Sequence, residues 1–341
     1  MTNPVSEYLG PQYVPILKSK KGELDALKHI NRSELTPLLE VLSPEKAAIS
    51  IPKAWDFNQY PLWIQLFDDP EAENPNFPNT VHDFFNKLGP TALITPVLTV
   101  SEELETLQAY SGLSMVQSNG VTLRIDVEDL IDPSVDIASY IDDTLHELGM
   151  RQQDVNLLVD GGFLEGTPIV QSALAVQALR SLNVTSWRMT VLAFSAFPFE
   201  LGKVAQKSST TAIPRDDAQA FTLTVQSTGM TLIYSDYGVG NPSYSQAAFS
   251  PIPNLKYAAG SNWMIHRASS RSNPAPQIQS IASNIVSAPY YGGPSFSEAD
   301  SKIDAIASSS SGPGNATTHV EIGMNRHFHV VLDRLATLGV P

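Results

Sequence analysis

The fold this chain predicts is a (β/α)8 barrel with a large insertion between its eighth strand and its eighth helix. Three observations carry the expectation. Eight short apolar runs alternate with segments of helical period from residue 13 to about residue 236, the pattern of a parallel sheet built from βα units. A stretch rich in Gly, Pro, Ser and Asn follows, from 237 to 324. The chain then returns to helical period, with Phe328, Val331, Leu332, Leu335 and Leu338 on one stripe and Gly339 as a stop.

The runs, in order, are Tyr13 to Leu17, Leu35 to Val41, Leu62 to Phe67, Ala92 to Leu98, Val121 to Val127, Asn156 to Val159, Arg188 to Phe194 and Thr231 to Ser235. Between them lie helical segments such as Ser101 to Tyr110, where Ser101 is placed to cap the first turn and Leu104 and Leu107 share a face. Pro133 to Leu148 is another, ended by Gly149. No helix follows the eighth run directly, so the last segment is its helix. The expected division is 1–236 for the barrel strands, 237–324 for the insertion and 325–341 for the closing helix. Within the insertion a hairpin is expected from Leu255 to Arg267 and helices over Gln277 to Ile285 and Ser297 to Ala307, with Gly312-Pro313-Gly314-Asn315 as the connector back. An insertion that leaves the carboxyl end of a strand lies over the barrel mouth, where barrel sites are built.

Composition narrows the function. Hydrophobic residues make up 42% and charged residues 16% of 341, enough apolar material for a sizeable core. A net charge of −14 repels phosphate backbones and anionic lipids, so non-specific nucleic-acid binding is disfavoured. With no cysteine, thiolate metal sites, disulfides and a cysteine nucleophile are excluded. Met1 to Pro15 has no charged segment leading into an apolar one, and no apolar run approaches ~18 residues. A cytoplasmic location without a membrane span is expected.

Strand side chains alternate faces. In the fifth run Leu123, Ile125 and Val127 form the apolar set, which turns Thr122, Arg124 and Asp126 inward, the last two near the mouth. Lys18, Glu40, Asp160 and Asp236 end their runs in the same manner, as do Asp68 and Ser195, and Gln65 faces inward from the third run. The candidate catalytic set is therefore Lys18, Glu40, Arg124, Asp126, Asp160 and Asp236, with Arg124 and Asp126 as its central pair. Such a mixed-charge rim suits a divalent cation of the magnesium type, a general acid and base, or a clamp on an anionic ligand. It equally suits strand ends that simply meet water.

The ligand-binding candidates are Gln65, Ser195, Tyr237, Gly238, Tyr257, Asn325 and His327. Gly238 and Gly240 form a G-x-G that could cradle phosphate through backbone amides or merely make a turn, and Gly161-Gly162 has the same standing. His327 and His329 diverge by about 200° on a helix, which argues against a joint metal site, while Asn325 or His327 at the helix start could reach the mouth. His266, in the hairpin, reads as a packed or solvent-facing residue. Trp263, Tyr234, Tyr237, Tyr257, Tyr290 and Tyr291 offer either a stacking surface or a satellite core.

Several of these segments resemble the beta protein family of phages and bacteria. The resemblance lies in Tyr13-Val14-Pro15-Ile16-Leu17-Lys18 with Lys20, Gly22 and Glu23, and in Leu35-Thr36-Pro37-Leu38-Leu39-Glu40-Val41. It continues in Asp236-Tyr237-Gly238, in Asn254-Leu255-Lys256-Tyr257 with Trp263 and Arg267, and in Gly314-Asn315-Ala316-Thr317-Thr318 with Gly323, Asn325 and His327. Where the family pairs its histidines, this chain reads Asn325-Arg326-His327-Phe328-His329. The resemblance implies a barrel-like fold in a bacterial host cell, encoded in phage genomes or in mobile and defence loci, and it carries over no catalytic residue. Two functions follow as expectations. One is an enzyme, hydrolase-like or phosphodiesterase-like and dependent on a magnesium-type cation, acting on a small phosphorylated or nucleotide-like ligand. The other is a non-enzymatic binding protein of a phage or anti-phage assembly, with a protein as its ligand.

Overall fold

The computed structural model describes residues 11–67, 76–243 and 252–341; Asp68 lies outside them. Eleven strands are described: β1 (Tyr13–Lys18), β2 (Leu38–Val41), β3 (Leu62–Leu66), β4 (Ile94–Thr99), β5 (Thr122–Asp126), β6 (Asn156–Phe163), β7 (Met189–Ser195), β8 (Thr210–Pro214), β9 (Ile233–Asp236), β10 (Asn254–Ala259) and β11 (Asn262–Arg267). A closed barrel runs β1-β2-β3-β4-β5-β6-β7-β9. Its strands pair in parallel, and the last joins the first with Tyr13 opposite Tyr234 and Val14 opposite Ser235. The eight predicted runs are its eight strands.

Val14, Ile16, Leu38, Trp63, Val97, Leu158, Val191 and Ala193 pack together inside the barrel, with Tyr237 above them. The opposite strand faces, among them Leu17, Leu39, Ile64, Leu123, Ile125 and Leu192, join the helices in the larger core. This alternation fixes which polar side chains reach the mouth, because a one-residue slip would bury charges against the helices.

The covering sheet differs from expectation. β8, from the connection between the seventh and eighth barrel strands, pairs antiparallel with β11, giving the order β10-β11-β8. Residues 237–324 therefore do not form the cover alone. Leu255, Tyr257, Ile278, Ile285, Ile303 and Ile322 close a second core under it.

The closing helix also starts earlier than predicted, spanning Ala316–Leu338, with Asn315 as its cap accepting from the amides of Thr317 and Thr318. Ser101 caps nothing; the helix after β4 is Leu104–Ser111 and begins after Glu103. Among the described residues no helix is long and apolar enough to cross a membrane.

Phe328 and Val331 on the closing helix are fully buried, and the Phe328 ring lies 6.4 Å from that of Tyr13 on β1. Deleting Phe328 to Pro341 should uncover the β1/β9 seam and cost several kcal/mol by the apolar area exposed. Soluble yield and thermal melting test this; a soluble truncated protein with an unchanged Tm would contradict it.

Candidate functional site

The inward alternation of β1, β2, β3, β5 and β6 delivers Lys18, Glu40, Gln65, Arg124 and Asp160 to one point at the carboxyl ends of the strands. Arg124 is its centre. Its Nη1 donates to Glu40 Oε1 (2.9 Å) and Gln65 Oε1 (2.6 Å), its Nε to Asp160 Oδ2 (3.0 Å), and its Nη2 to Asp160 Oδ2 (2.6 Å) and the Tyr237 hydroxyl (2.5 Å). That is as many bonds as a guanidinium has N–H donors. Tyr237 in turn donates to Asp160 Oδ2. Burial and the Asp160 and Glu40 carboxylates hold this phenol well above its usual range against the pull of Arg124, so the hydroxyl stays protonated.

Lys18 extends the network. Its Nζ donates to Glu40 Oε2 (3.3 Å) and to the carbonyls of Asn241 (2.9 Å) and Pro242 (3.1 Å), which ties β1 to the chain beyond β9. The Gly162 amide occupies Asp160 Oδ1 at 2.8 Å. Four of the six candidate catalytic residues thus meet, but mainly to satisfy one another. They form the floor of the mouth.

The other two stand apart. Asp126 faces inward, beside Asp160 in the strand register, yet makes no hydrogen bond with Arg124; the proposed central pair is replaced by Arg124 with Asp160 and Glu40. Partial desolvation and then the Asp160 charge push its carboxyl up to about 6.

Asp236 corrects the expected register more sharply. It shares the outer face of β9 with Tyr234, and Tyr237 takes the inward place. There it accepts from the hydroxyls of Tyr13 (2.5 Å) and Tyr234 (2.8 Å) and meets His327 Nε2 at 2.7 Å. Arg215 Nη2 lies 3.7 Å away. Asp236 and His327 are both fully buried.

Other ligand candidates lie within the packed fold. Asn325 donates to the carbonyls of Ala26 and His29 and accepts from the Ala299 amide. Tyr257 donates to Asp300 in the second core, with the Arg326 guanidinium 4.4 Å above its ring. Gly238 makes a left-handed turn, φ 59°, where a Cβ would meet Met324 Sδ at 2.5 Å. Ser195 is buried inside β7, and its hydroxyl has no partner among the described residues. His266 is buried between Thr210 (2.9 Å) and Tyr290 (3.2 Å). Among the described residues no group of three or more His, Asp or Glu is arranged to hold a metal.

Above the floor lies a cleft of about 1020 Å³ between the barrel rim, the chain after β7 and the covering subdomain. Lys18, Lys20, Glu23, Lys256, Arg267 and Arg271 are its charged lining apart from Glu200, with Phe197, Phe199, Ile252 and Ile278 as apolar walls. Lys256 Nζ donates to the Val239 carbonyl (3.0 Å) and sits 4.7 Å over the Phe197 ring. Desolvation there lowers it to about 8, against the pull of Glu23. Strand alternation could not find Glu23 or Lys256, because one lies on a helix and the other on the cover; the family resemblance did quote both, with Lys20 and Arg267.

Fold and site together define a closed α/β barrel whose carboxyl-terminal mouth is sealed by an ion network and roofed by a small antiparallel sheet. The chain belongs to the Beta protein family, which matches residues 13–333. No curated protein sequence matches it. Among solved structures, HMG-CoA lyase from Brucella melitensis is similar at 12% identity and a TM-score of 0.34, over 67% of this chain and 83% of that one. The enoyl reductase domain of MlnA, from the macrolactin biosynthesis cluster of Bacillus amyloliquefaciens, is similar at 14% identity and a TM-score of 0.31, over 60% and 61% respectively. The barrel assignment rests on the strand order itself.

Proposed function

We propose that this protein binds a small phosphorylated or nucleotide-like ligand in the cleft above the barrel mouth. One observation carries the reading: in a chain of net charge −14, five basic side chains line a single cleft against two acidic ones. Fixed cations in a walled cleft focus potential on an anion, and the aromatic and aliphatic wall gives an apolar ligand body a surface to bury. Lys18, one of those five, and Arg124 beneath it spend their donors on protein, so the rim network contributes charge from below and not hydrogen bonds to the ligand.

Calorimetric titration with AMP and with inorganic phosphate at low ionic strength tests the reading. Lys256→Met, which removes a cleft cation on the cover while keeping an unbranched side chain, should weaken AMP at least about tenfold, the scale of one charged hydrogen bond. Wild-type protein that binds neither probe at millimolar concentration would end it.

The alternative, a binding module of a phage or anti-phage assembly, draws on exposed apolar side chains at the end of β6 and after β6 and β7. Phe163, Ile169, Val170, Phe199 and Val204 are all exposed and belong to the carboxyl-terminal side of the barrel, where an interaction patch would sit. Recovery of a stoichiometric protein partner, lost when Ile169 and Val170 become Ser, would favour it.

A further inference from the structure

We propose, building on the anion-binding reading of the cleft, that Glu23 engages the ligand in its protonated form. It would donate a hydrogen bond to a phosphomonoester oxygen opposite the Lys256 ammonium, so that the site takes up a phosphate dianion together with a proton. The ligand class is accordingly a phosphomonoester dianion and not a diester or a sulfate ester.

The geometry begins with how Glu23 is held. It stands in the first turn of the helix Lys21–Leu27, and that helix is pressed on the closing helix at Gly22, where a Cβ would lie 2.8 Å from the Thr317 carbonyl. Its Oε2 accepts from the Lys18 amide at 2.5 Å, which fixes the carboxyl plane and leaves Oε1 with no hydrogen bond among the described residues. Glu23 lines the cleft, as Lys256 does from the covering sheet. A carboxylate among the cations of an anion site is a contradiction if it is ionised, because it would repel the ligand it faces. Protonated, it is a donor.

The surroundings favour that state. Desolvation raises the Glu23 carboxyl to about 7, with Glu40 adding to the rise, against Lys18 and its amide and Lys20. The other titratable groups that share its cleft are Tyr237 at the rim, whose phenol stays protonated, Lys256 on the cover, His319 on the closing helix, Arg267 at the end of β11 and Arg271 beyond it, and Glu200 after β7. His319 is lowered by burial, against its bond to the Pro313 carbonyl, so near neutral pH it adds no fixed charge beside Glu23. An arriving dianion raises the Glu23 carboxyl further, and the Lys256 ammonium in the same cleft supplies the compensating charge. A phosphomonoester suits this exchange because its own second ionisation, near pH 6, falls in the same range, so one proton is shared between near-matched oxygens. A diester or a sulfate ester has no such proton to share.

Glu23→Gln separates the parts. The amide oxygen can accept from the Lys18 amide as Oε2 does, and the NH2 is a permanent donor that mimics the protonated acid. AMP is titrated calorimetrically at pH 8 in two buffers of different ionisation enthalpy, and the difference in heat gives the protons taken up. Wild-type protein should take up protons on binding, and Glu23→Gln should take up about one fewer while binding AMP as tightly or more tightly. Wild-type and Glu23→Gln protein with the same proton uptake, or Glu23→Gln weakened tenfold at pH 8, would overturn the proposal while leaving the cleft an anion site. Equal affinity of the wild type for sulfate and phosphate across pH 6 to 9 would do the same. If wild-type protein binds no AMP, the reading of the cleft and this inference fall together.

Discussion

Arg124→Met should destabilise the protein by about 3–5 kcal/mol, the scale of removing one member of a buried ion network. The guanidinium satisfies Glu40, Gln65, Asp160 and Tyr237 at once, and the Glu40 and Asp160 side chains are only 7% and 2% exposed. Methionine keeps much of the stem but leaves two buried carboxylates facing each other, with Lys18 bonded to only one of them. Asp126→Asn is the internal control. Asp126 is exposed and makes no bond to Arg124, and its carboxyl is raised, so its ionisation opposes folding as pH rises through about 6. Its replacement should leave stability at pH 7.5 unchanged or slightly higher. Urea denaturation of both variants decides the matter: an Arg124→Met loss on the scale of a surface ion pair, under about 1 kcal/mol, would mean that water already relieves these carboxylates and that the mouth is not sealed.

The sequence revealed this floor because the rule that finds it is local. In β5 the apolar residues Leu123 and Ile125 point to the helix layer, so Arg124 must point inward, and the same step places Glu40, Gln65 and Asp160. The rule fails where the helix-facing side of a strand is itself polar. On β9 the outer face carries Tyr234 and Asp236, because what covers it is Arg215, Asp217 and His327 instead of an aliphatic helix face. A carboxylate at a strand end then reads as a mouth residue when it is an interior one. β8 was illegible for another reason: Thr210 to Pro214 alternates exposed and half-buried positions without an apolar run, and only its partner β11, more than forty residues on, makes it a strand. The cleft residues Glu23 and Lys256 belong to separate elements whose meeting depends on the cover closing over the rim, a tertiary event that no periodicity encodes.

The outer face of β9 gives the second large effect. Asp236 ties three parts of the chain together: Tyr13 on β1, Arg215 at the start of the helix Asp216–Thr228, and His327 on the closing helix, whose Nδ1 accepts from Trp263 Nε1 at 3.2 Å. Barrel seam, closing helix and covering sheet are thereby locked at one carboxylate. Burial alone would raise that carboxyl, but its contact and hydrogen bond with His327, the Arg215 charge and the Tyr13 hydroxyl outweigh it and hold Asp236 below the usual carboxylate range. Asp236→Asn should cost about 3–5 kcal/mol at neutral pH, the more so because Arg215 Nε and Nη1 already lack hydrogen-bond partners among the described residues. A carboxyl depressed in the folded state contributes stability that is present above its unfolded pKa of about 4 and is lost as pH falls through the folded value. The stability gap between wild type and Asp236→Asn should therefore narrow below pH 4. Asp217, raised by burial and by the Asp236 charge against Arg215, titrates with the opposite sign, and Asp236→Asn removes the Asp236 share of that rise, so the gap reports the two carboxyls as a coupled pair. Because Asp236 faces away from the cleft, folded Asp236→Asn protein at low temperature should bind AMP with wild-type affinity. A variant of full stability that has lost AMP binding would instead put Asp236 back in the site and show that the outer face of β9 communicates with the mouth.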